Sequence, residues 1–518
     1  MRVMYPEQFS MPQQPSFIPS QFCRLFHLVI VLAVFLQFSL AQNTPSSAEA
    51  PRPAPGTGIT VLDQPRQAPQ QPKPSQPAST EVEQESESGK PITKAQAKEL
   101  FRSVDEILAF VSQDTGLPIK HKVKRKLITR NQVERYVEKR MKGDKDAQRM
   151  ERSQLVLKKF GMIPQDYDLH AEFVKLLSEQ VAAYYDSKTK TVNLLDWVQP
   201  DLQRPVLAHE LTHALQDQSV DLQTWARAGA PDDKPLPDQQ EQVVEEAQAA
   251  RQNVTEGQAM LAMLDYTLAP AGLNVVKAPD VVDAMRAAMT NGKDAPVLAS
   301  APTFLRESLM MPYTFGLDFE RTILTKNGSA AAYLGALERP PLDTLQIMDP
   351  QTYLNNRAVT PPTIPDLDKL MTPDYERYDF GGMGAFDMFL LVRQYAPDTD
   401  AKNYYPHWRG GYYLAVHSKT APRDQIALLF FCCWDSPEAA MSFAKVYGDY
   451  VPTRYHLGPK VEMIGDVGKN PAFTWDVGPQ GKVIIQVQST DLLVLEGFDD
   501  SARKRISAAL LTRSQFVN

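Results

Sequence analysis

An α+β fold in two parts is what the sequence predicts: a mostly helical domain with a small β-sheet, followed by a small α+β sandwich. Three observations carry this expectation. From Thr93 onward apolar residues recur at three and four positions, the period of a helix with one buried face. Between Gln180 and Asp196 two extended runs flank the polar turn Asp186 to Lys190, which reads as a hairpin. After the proline-rich stretch Pro361 to Pro373 the texture changes again, to short strands interleaved with helices.

The chain has 518 residues, 43% of them hydrophobic, enough for about two or three domains with real cores. Phe22 to Ala41 reads FCRLFHLVIVLAVFLQFSLA: Arg24, an apolar run, then small residues at Ser39 and Ala41. That order predicts a signal peptide over 1–41, cleaved after Ala41, and a secreted or periplasmic protein. Left uncleaved, the same segment would be a signal anchor spanning the membrane once. Residues 42–92 are rich in Pro, Gln and Ser with few large apolar side chains, so a disordered linker is expected there. A net charge of −7 argues against nucleic acid as a partner, and the basic run His121 to Arg130 is short enough to be a solvated face. Cys432 and Cys433 are adjacent; in a strand they point to opposite faces, so both are expected as free thiols.

The first helix is predicted from Ala97, Leu100, Phe101, Val104, Ile107, Leu108 and Val111. A strand follows at Val123 to Ile128, then helices over Val133 to Met141, Met150 to Phe160 and Ala171 to Leu177. After the hairpin, Pro205 is placed to open a helix, since proline suits a first helical turn. A polar loop from Gly229 to Asp238 leads into a long helix, Gln239 to Leu268. Shorter helices fill the rest of a 93–360 domain, among them Pro312 to Leu324 and Gly328 to Leu337. The second domain, 374–518, should hold helices at Gly384 to Tyr395, Pro437 to Tyr447 and Ser501 to Leu511 on one face of a sheet. Its strands are expected at Tyr412 to His417, Gln425 to Trp434, Ala472 to Val477, Val483 to Gln488 and Leu492 to Glu496.

The chemistry is concentrated in Val206 to Leu215, VLAHELTHAL. On a helix each residue advances about 100°, so His209 and His213 lie about 40° apart, one turn above the other, and both imidazoles can reach one ion. Glu210 lies beside them, where it could hold a water polarised by that ion. Leu207, Leu211 and Leu215 fall on the opposite side and should pack into the core. Catalytic zinc usually takes three protein ligands, and the long helix offers Glu241, Glu245, Glu246 and Glu256. Context favours Glu256, which enters the most apolar part of that helix, where a carboxylate needs a partner. Gly257 beside it would let another backbone approach closely.

These residues resemble the zincin metallopeptidases, whose pattern is HExxH. The metzincin branch is excluded, because Gln216 and Ser219 stand where it has Gly and His. The downstream TEGQA around Glu256 is similar to the EGxA segment of the glutamate-ligand zincins, the gluzincins, especially bacterial secreted members. The likeness covers about Gln180 to Tyr353, including Ala301 to Gly316 (APTFLRESLMMPYTFG) and Pro340 to Pro350 (PPLDTLQIMDP). It implies a zincin-like domain hydrolysing peptide bonds with one Zn²⁺ on His209, His213 and Glu256, and Glu210 as general base. It further implies an edge strand at Ala182 to Asp186 that pairs with substrate and carries Tyr184 and Tyr185. Asp217 is a candidate to orient the His213 ring, and Tyr313 a candidate donor to the oxyanion. The family pattern more often has Asp where this chain has Gln258, and His where it has Asp349, which touches the surroundings of the site rather than its ligands. The rival reading is a zinc-containing binding protein acting through the C-terminal domain, with its aromatic Pro406 to Val416 segment. His407, Trp408, His417 and His456 are expected to have packing roles.

Overall fold

The computed structural model describes residues 91–511, except 134, 136–144, 181–182, 232–235, 291–295, 372, 398, 421, 423–424 and 459–471. The expected signal peptide and linker, apart from residues 91–92, and most of the expected 133–141 helix fall outside those residues. Among the described residues no helix is long and apolar enough to cross a membrane.

Helix α1, Lys94–Thr115, begins where the pattern begins because Thr93 caps it. The Thr93 hydroxyl accepts from the Gln96 N–H at 3.2 Å and the Gln96 side chain accepts from the Thr93 N–H at 2.8 Å. Gly116 ends it at φ 74, a conformation that a side chain would resist. Strand β1, Lys124–Ile128, is followed by helices α2, Lys145–Phe160, and α3, Leu169–Gln180. The hairpin is β2, Ala183–Asp186, and β3, Thr191–Leu195. β3 lies in the centre of this small sheet, with β1 parallel on one side and β2 antiparallel on the other, so β2 is an edge.

Helix α4, Pro200–Val220, starts five residues earlier than expected. Pro200, not Pro205, occupies the first turn; Pro205 sits inside the helix. An internal proline forfeits the bond to the carbonyl four residues back. Here that carbonyl belongs to Asp201, an exposed residue of the first turn, where water can replace the lost donor. Helix α5, Asp238–Leu268, is buried on nearly all sides from Gln248 to Asp265, as its apolar sequence requires. Helices α6, Pro279–Thr290, and α7, Thr303–Met311, lead into a π-helical turn at Pro312–Gly316. Helix α8, Leu317–Asn327, and a second π-helical turn, Ala331–Gly335, follow, so the expected Pro312 to Leu324 helix exists with a wide first turn.

The C-terminal region departs most from expectation. Helix α9, Leu367–Met371, precedes a strand that was not foreseen, β4, Tyr375–Met383. Next come α10, Ala385–Tyr395; β5, Trp408–Ser418; β6, Ala427–Trp434; and α11, Pro437–Arg454. The chain closes with β7, Ala472–Asp476; β8, Lys482–Gln488; β9, Asp491–Glu496; and α12, Asp500–Leu511. The six strands form one antiparallel sheet in the order β4-β5-β6-β9-β8-β7.

Helices cover both faces of this sheet, not one. Tyr413, Ala415, Leu428, Phe430 and Val494 pack with Phe386 and Leu391 of α10 and Phe443 and Tyr447 of α11. Their strand neighbours Tyr412, Leu414, Leu429, Phe431 and Leu495 pack with Leu367 of α9 and Ile506 and Leu510 of α12. A strand buried on both faces reads as a continuous apolar run, which ALLFFCCW does. Cys432 and Cys433 are free thiols, as expected. The core on the α10–α11 face is continuous with that of the helical region. Helix α5 bridges the two: Asp238 pairs with Arg377 of β4 at 2.8 Å, and Gln242 donates to the Gly411 carbonyl of β5 at 3.0 Å.

Candidate metal centre

Helices α4 and α5 pack side by side, and their contact brings together residues 47 positions apart in the chain. His209 Nε2 lies 3.1 Å from Glu256 Oε2 and 3.1 Å from His213 Nε2, and His213 Nε2 lies 3.6 Å from Glu256 Oε2. The imidazole planes are nearly perpendicular, at 86°. All three residues are buried, His209 at 2%, His213 at 8% and Glu256 at 3% exposure.

Two imidazole nitrogens and one carboxylate oxygen at these separations fit a metal ion. Four ligands about 2.0–2.1 Å from a zinc ion in a tetrahedron stand about 3.3 Å from one another. The observed 3.1, 3.1 and 3.6 Å bracket that edge. Without a cation the arrangement is costly, because two ring nitrogens and an anion converge in a volume shielded from water. Among the described residues, this is the group of three His, Cys, Asp or Glu side chains that could hold a metal ion.

Of the four glutamates, Glu256 is the one within reach of the histidines. Helical rise puts Glu246, Glu245 and Glu241 about 15, 16 and 22 Å before Glu256 along the axis. Glu246 instead accepts from the backbone N–H and hydroxyl of Thr344 at 3.0 and 2.7 Å.

Gly257 allows the approach that was expected of it. The π-helical turn Pro312–Gly316 crosses α5 there, and a methyl group on Gly257 would collide with the Gly316 backbone. The same turn sets buried Tyr313 against His209, ring centroids 6.4 Å apart and stacked.

Charge in the metal-free site follows from burial and from Glu256. Burial would raise the Glu256 carboxyl, but the positive charge on His213 and hydrogen bonds from both histidines hold it well below its ordinary range. Burial alone would lower His213; the Glu256 carboxylate, with help from Glu210 and Gln216, pushes it up to about 9. Burial dominates at His209 and lowers it. Glu210 is raised to about 8, mainly by burial and further by Glu256, against the lowering influence of His213 and the Tyr185 amide. A proton is therefore held where a cation would bind, and metal binding would release it.

The polar residues of α4 divide between two directions. Taking His209 as zero, His213 lies at about 40° and Gln216 at about −20°, all toward α5; Glu210 and Asp217 lie at about 100° and 80°, toward the hairpin. Glu210 Oε2 accepts the Tyr185 backbone N–H at 2.7 Å. Asp217 accepts the Tyr185 hydroxyl at 2.7 Å and pairs with Lys190 at 2.7 Å. The sequence made Asp217 a candidate to orient His213; it fastens the hairpin to α4 instead, through Tyr185 and Lys190. The residue that meets His213 Nδ1 is Gln216, through Oε1 at 2.9 Å. Its place on the helical wheel, beside both histidines, was the signal available for it. Tyr184 is buried and Tyr185 half-buried, so the pair divides between core and site side as strand alternation requires.

Asp349 caps a short helix at Pro350–Leu354, its side chain accepting from the Gln351 N–H. His407 pairs with Asp435 at 2.9 Å, and Trp408 is fully buried against Trp434. His417 packs on Tyr378, and His456 lies in the left-handed region at φ 53. None of these joins the centre. Comparison with protein-family models, curated proteins and solved structures finds no match.

Proposed function

We propose that the protein is a zinc-dependent peptidase of the zincin type, acting outside the cytoplasm. The observation that supports it best is the convergence of His209, His213 and Glu256, their facing atoms 3.1–3.6 Å apart, with Glu210 on the adjoining face of the same helix. Two histidines and a glutamate would hold the ion, a ligand set that leaves one position for water or substrate. When bound, zinc would supply Lewis acidity toward a peptide carbonyl and lower the pKa of a water molecule.

Glu210 would act as general base, taking a proton from the attacking water and passing it to the leaving amine. Its carboxyl accepts the Tyr185 amide, and burial raises it above the ordinary carboxylate range. Edge strand β2 runs beside Glu210, so an extended peptide pairing along it would lie next to the base. Tyr313, stacked on His209, is the candidate donor to the developing oxyanion.

Metal analysis of the purified chain, with turnover of a quenched-fluorescence peptide library, tests the proposal. One zinc per chain and peptide cleavage are expected. Glu210→Gln should retain the zinc and lose activity by about 10²-fold or more. Full activity in Glu210→Gln would refute the assignment of the base, and zinc without cleavage of any peptide would favour the binding-protein alternative.

A further inference from the structure

We infer that Gln258 and Gln216 form a relay of side-chain amides that fixes which nitrogen of His213 carries a proton. The inference rests on the metal-site reading above and extends it to two residues that touch no substrate. The relay starts at the second π-helical turn. The carbonyl oxygens of Ala332 and Tyr333 lie 2.7 and 3.0 Å from Gln258 Nε2. Both are pure acceptors, so the amide nitrogen of Gln258 must face them; the flipped amide would set oxygen against two oxygens. Gln258 Oε1 is therefore the end that faces Gln216, and it accepts from Gln216 Nε2 at 2.9 Å.

The second hydrogen on Gln216 Nε2 goes to the Thr255 carbonyl at 3.0 Å. Both donors of the Gln216 amide are thus committed, which leaves Gln216 Oε1 facing His213 Nδ1 at 2.9 Å. An oxygen can only accept, so Nδ1 carries the hydrogen. The lone pair of a neutral His213 is then at Nε2, the atom that shares the centre with His209 Nε2 and Glu256 Oε2.

Burial makes the relay binding rather than optional. Gln216 and Gln258 are both fully buried. Reversing any one amide would leave unmatched donors and acceptors in the core, about 1–3 kcal/mol for each stranded group. Two backbone carbonyls of one helical turn therefore set the tautomer of a ring on another helix, through two neutral side chains. Gln258 and Gln216 are positioning residues in this scheme.

The test reads metal binding and ring chemistry rather than turnover. In zinc-loaded wild-type protein labelled with ¹⁵N-histidine, the His213 ring should show a protonated Nδ1 and a zinc-bound Nε2. A zinc-bound Nδ1 would overturn the relay whatever the variants do. Gln258→Met keeps the length of the side chain and removes its hydrogen bonds, leaving the Gln216 amide nitrogen held by the Thr255 carbonyl alone. Its zinc affinity, measured against a competing chelator, should fall about 10–100-fold. Gln216→Glu keeps an oxygen that can accept from Nδ1, which Gln216→Met does not, and should bind zinc more tightly than Gln216→Met. Wild-type affinity in folded Gln258→Met, or equal affinities in Gln216→Glu and Gln216→Met, would reduce both residues to filling space and end the proposal. A wild-type chain that takes up no zinc would instead overturn the metal reading itself, a result visible before any relay variant is made.

Discussion

Replacing Gly257 by alanine tests whether the centre depends on the crossing of α5 and the π-helical turn. The added methyl would lie 2.6 Å from the Gly316 carbonyl carbon, closer still to its oxygen, and 3.0 Å from Glu320 Cγ. Ordinary contact needs about 3.5 Å, so the two backbones must separate by about 1 Å. Relaxation is difficult, because Gly316 is equally close-packed: a methyl there would sit 2.6 Å from the Asn253 carbonyl oxygen. Overpacking of this kind costs about 1–3 kcal/mol. The displaced segments are those next to Glu256 on one side and Tyr313 on the other, and a shift of about 1 Å at a reacting site can cost about 10²-fold in rate. Urea unfolding of Gly257→Ala should show the stability loss, and chelator competition a weakened hold on zinc. Unchanged unfolding together with unchanged zinc affinity would show that the two backbones are not in contact, and the placement of Glu256 would lose its explanation.

How much of this was legible in the sequence depends on how local each cause is. The start of α1 was readable because Thr93 and Gln96 lie three residues apart and cap each other without help from the rest of the chain. The pairing of His209 with His213 was readable for the same reason, as one turn of helix. Glu256 could be preferred over Glu245 because its neighbours are apolar, a property of the sequence, although its distance from the histidines is a property of packing. Pro205 was misplaced because the rule for a first turn fits Pro200 as well, and only the exposure of Asp201 makes an internal proline cheap. Strand β4 was missed because YERYDFGGM has three charges and two glycines, poor strand formers. It is an edge strand with a bulge between Arg377 and Asp379, and its glycines give room to Tyr413 and Gln242. The relay through Gln216 and Gln258 joins three segments, and no spacing along the chain announces it.

Two further predictions separate ligands from neighbours and ionised carboxylates from neutral ones. Glu256→Ala should lower zinc affinity more than about 100-fold, beyond the loss ordinary for a group outside the ligand shell, whereas Glu245→Ala, about 16 Å away on α5, should change it little; the reverse order by chelator competition would show that the carboxylate ligand is misassigned. The second concerns pH and the C-terminal sheet, where two buried carboxyls have opposite signs. Glu496 accepts from Arg454 Nη2, the Tyr447 hydroxyl and the Tyr455 hydroxyl, each at 2.6 Å. Burial would raise its pKa, but Arg454, Lys159 and the tyrosines hold it below the ordinary 4.5. Its stabilisation is therefore complete above about pH 4.5 and lost as pH falls through the lower folded value. Asp379, hydrogen-bonded by the Tyr413 hydroxyl at 2.6 Å, is raised to about 6, chiefly by burial. Its contribution is complete below the unfolded value near 3.8 and lost as pH rises through about 6. Asparagine accepts the same hydroxyl and cannot ionise, so Asp379→Asn should flatten the pH dependence of stability between about 4 and 6, a difference on the order of 2–3 kcal/mol. Glu496→Gln leaves the Arg454 charge buried without its counter-ion and should cost about 3–5 kcal/mol at pH 7, with the deficit shrinking below pH 4. Urea unfolding of the metal-free chains across this range reads both slopes. If Asp379→Asn kept the wild-type slope, the raised value of Asp379 would be refuted.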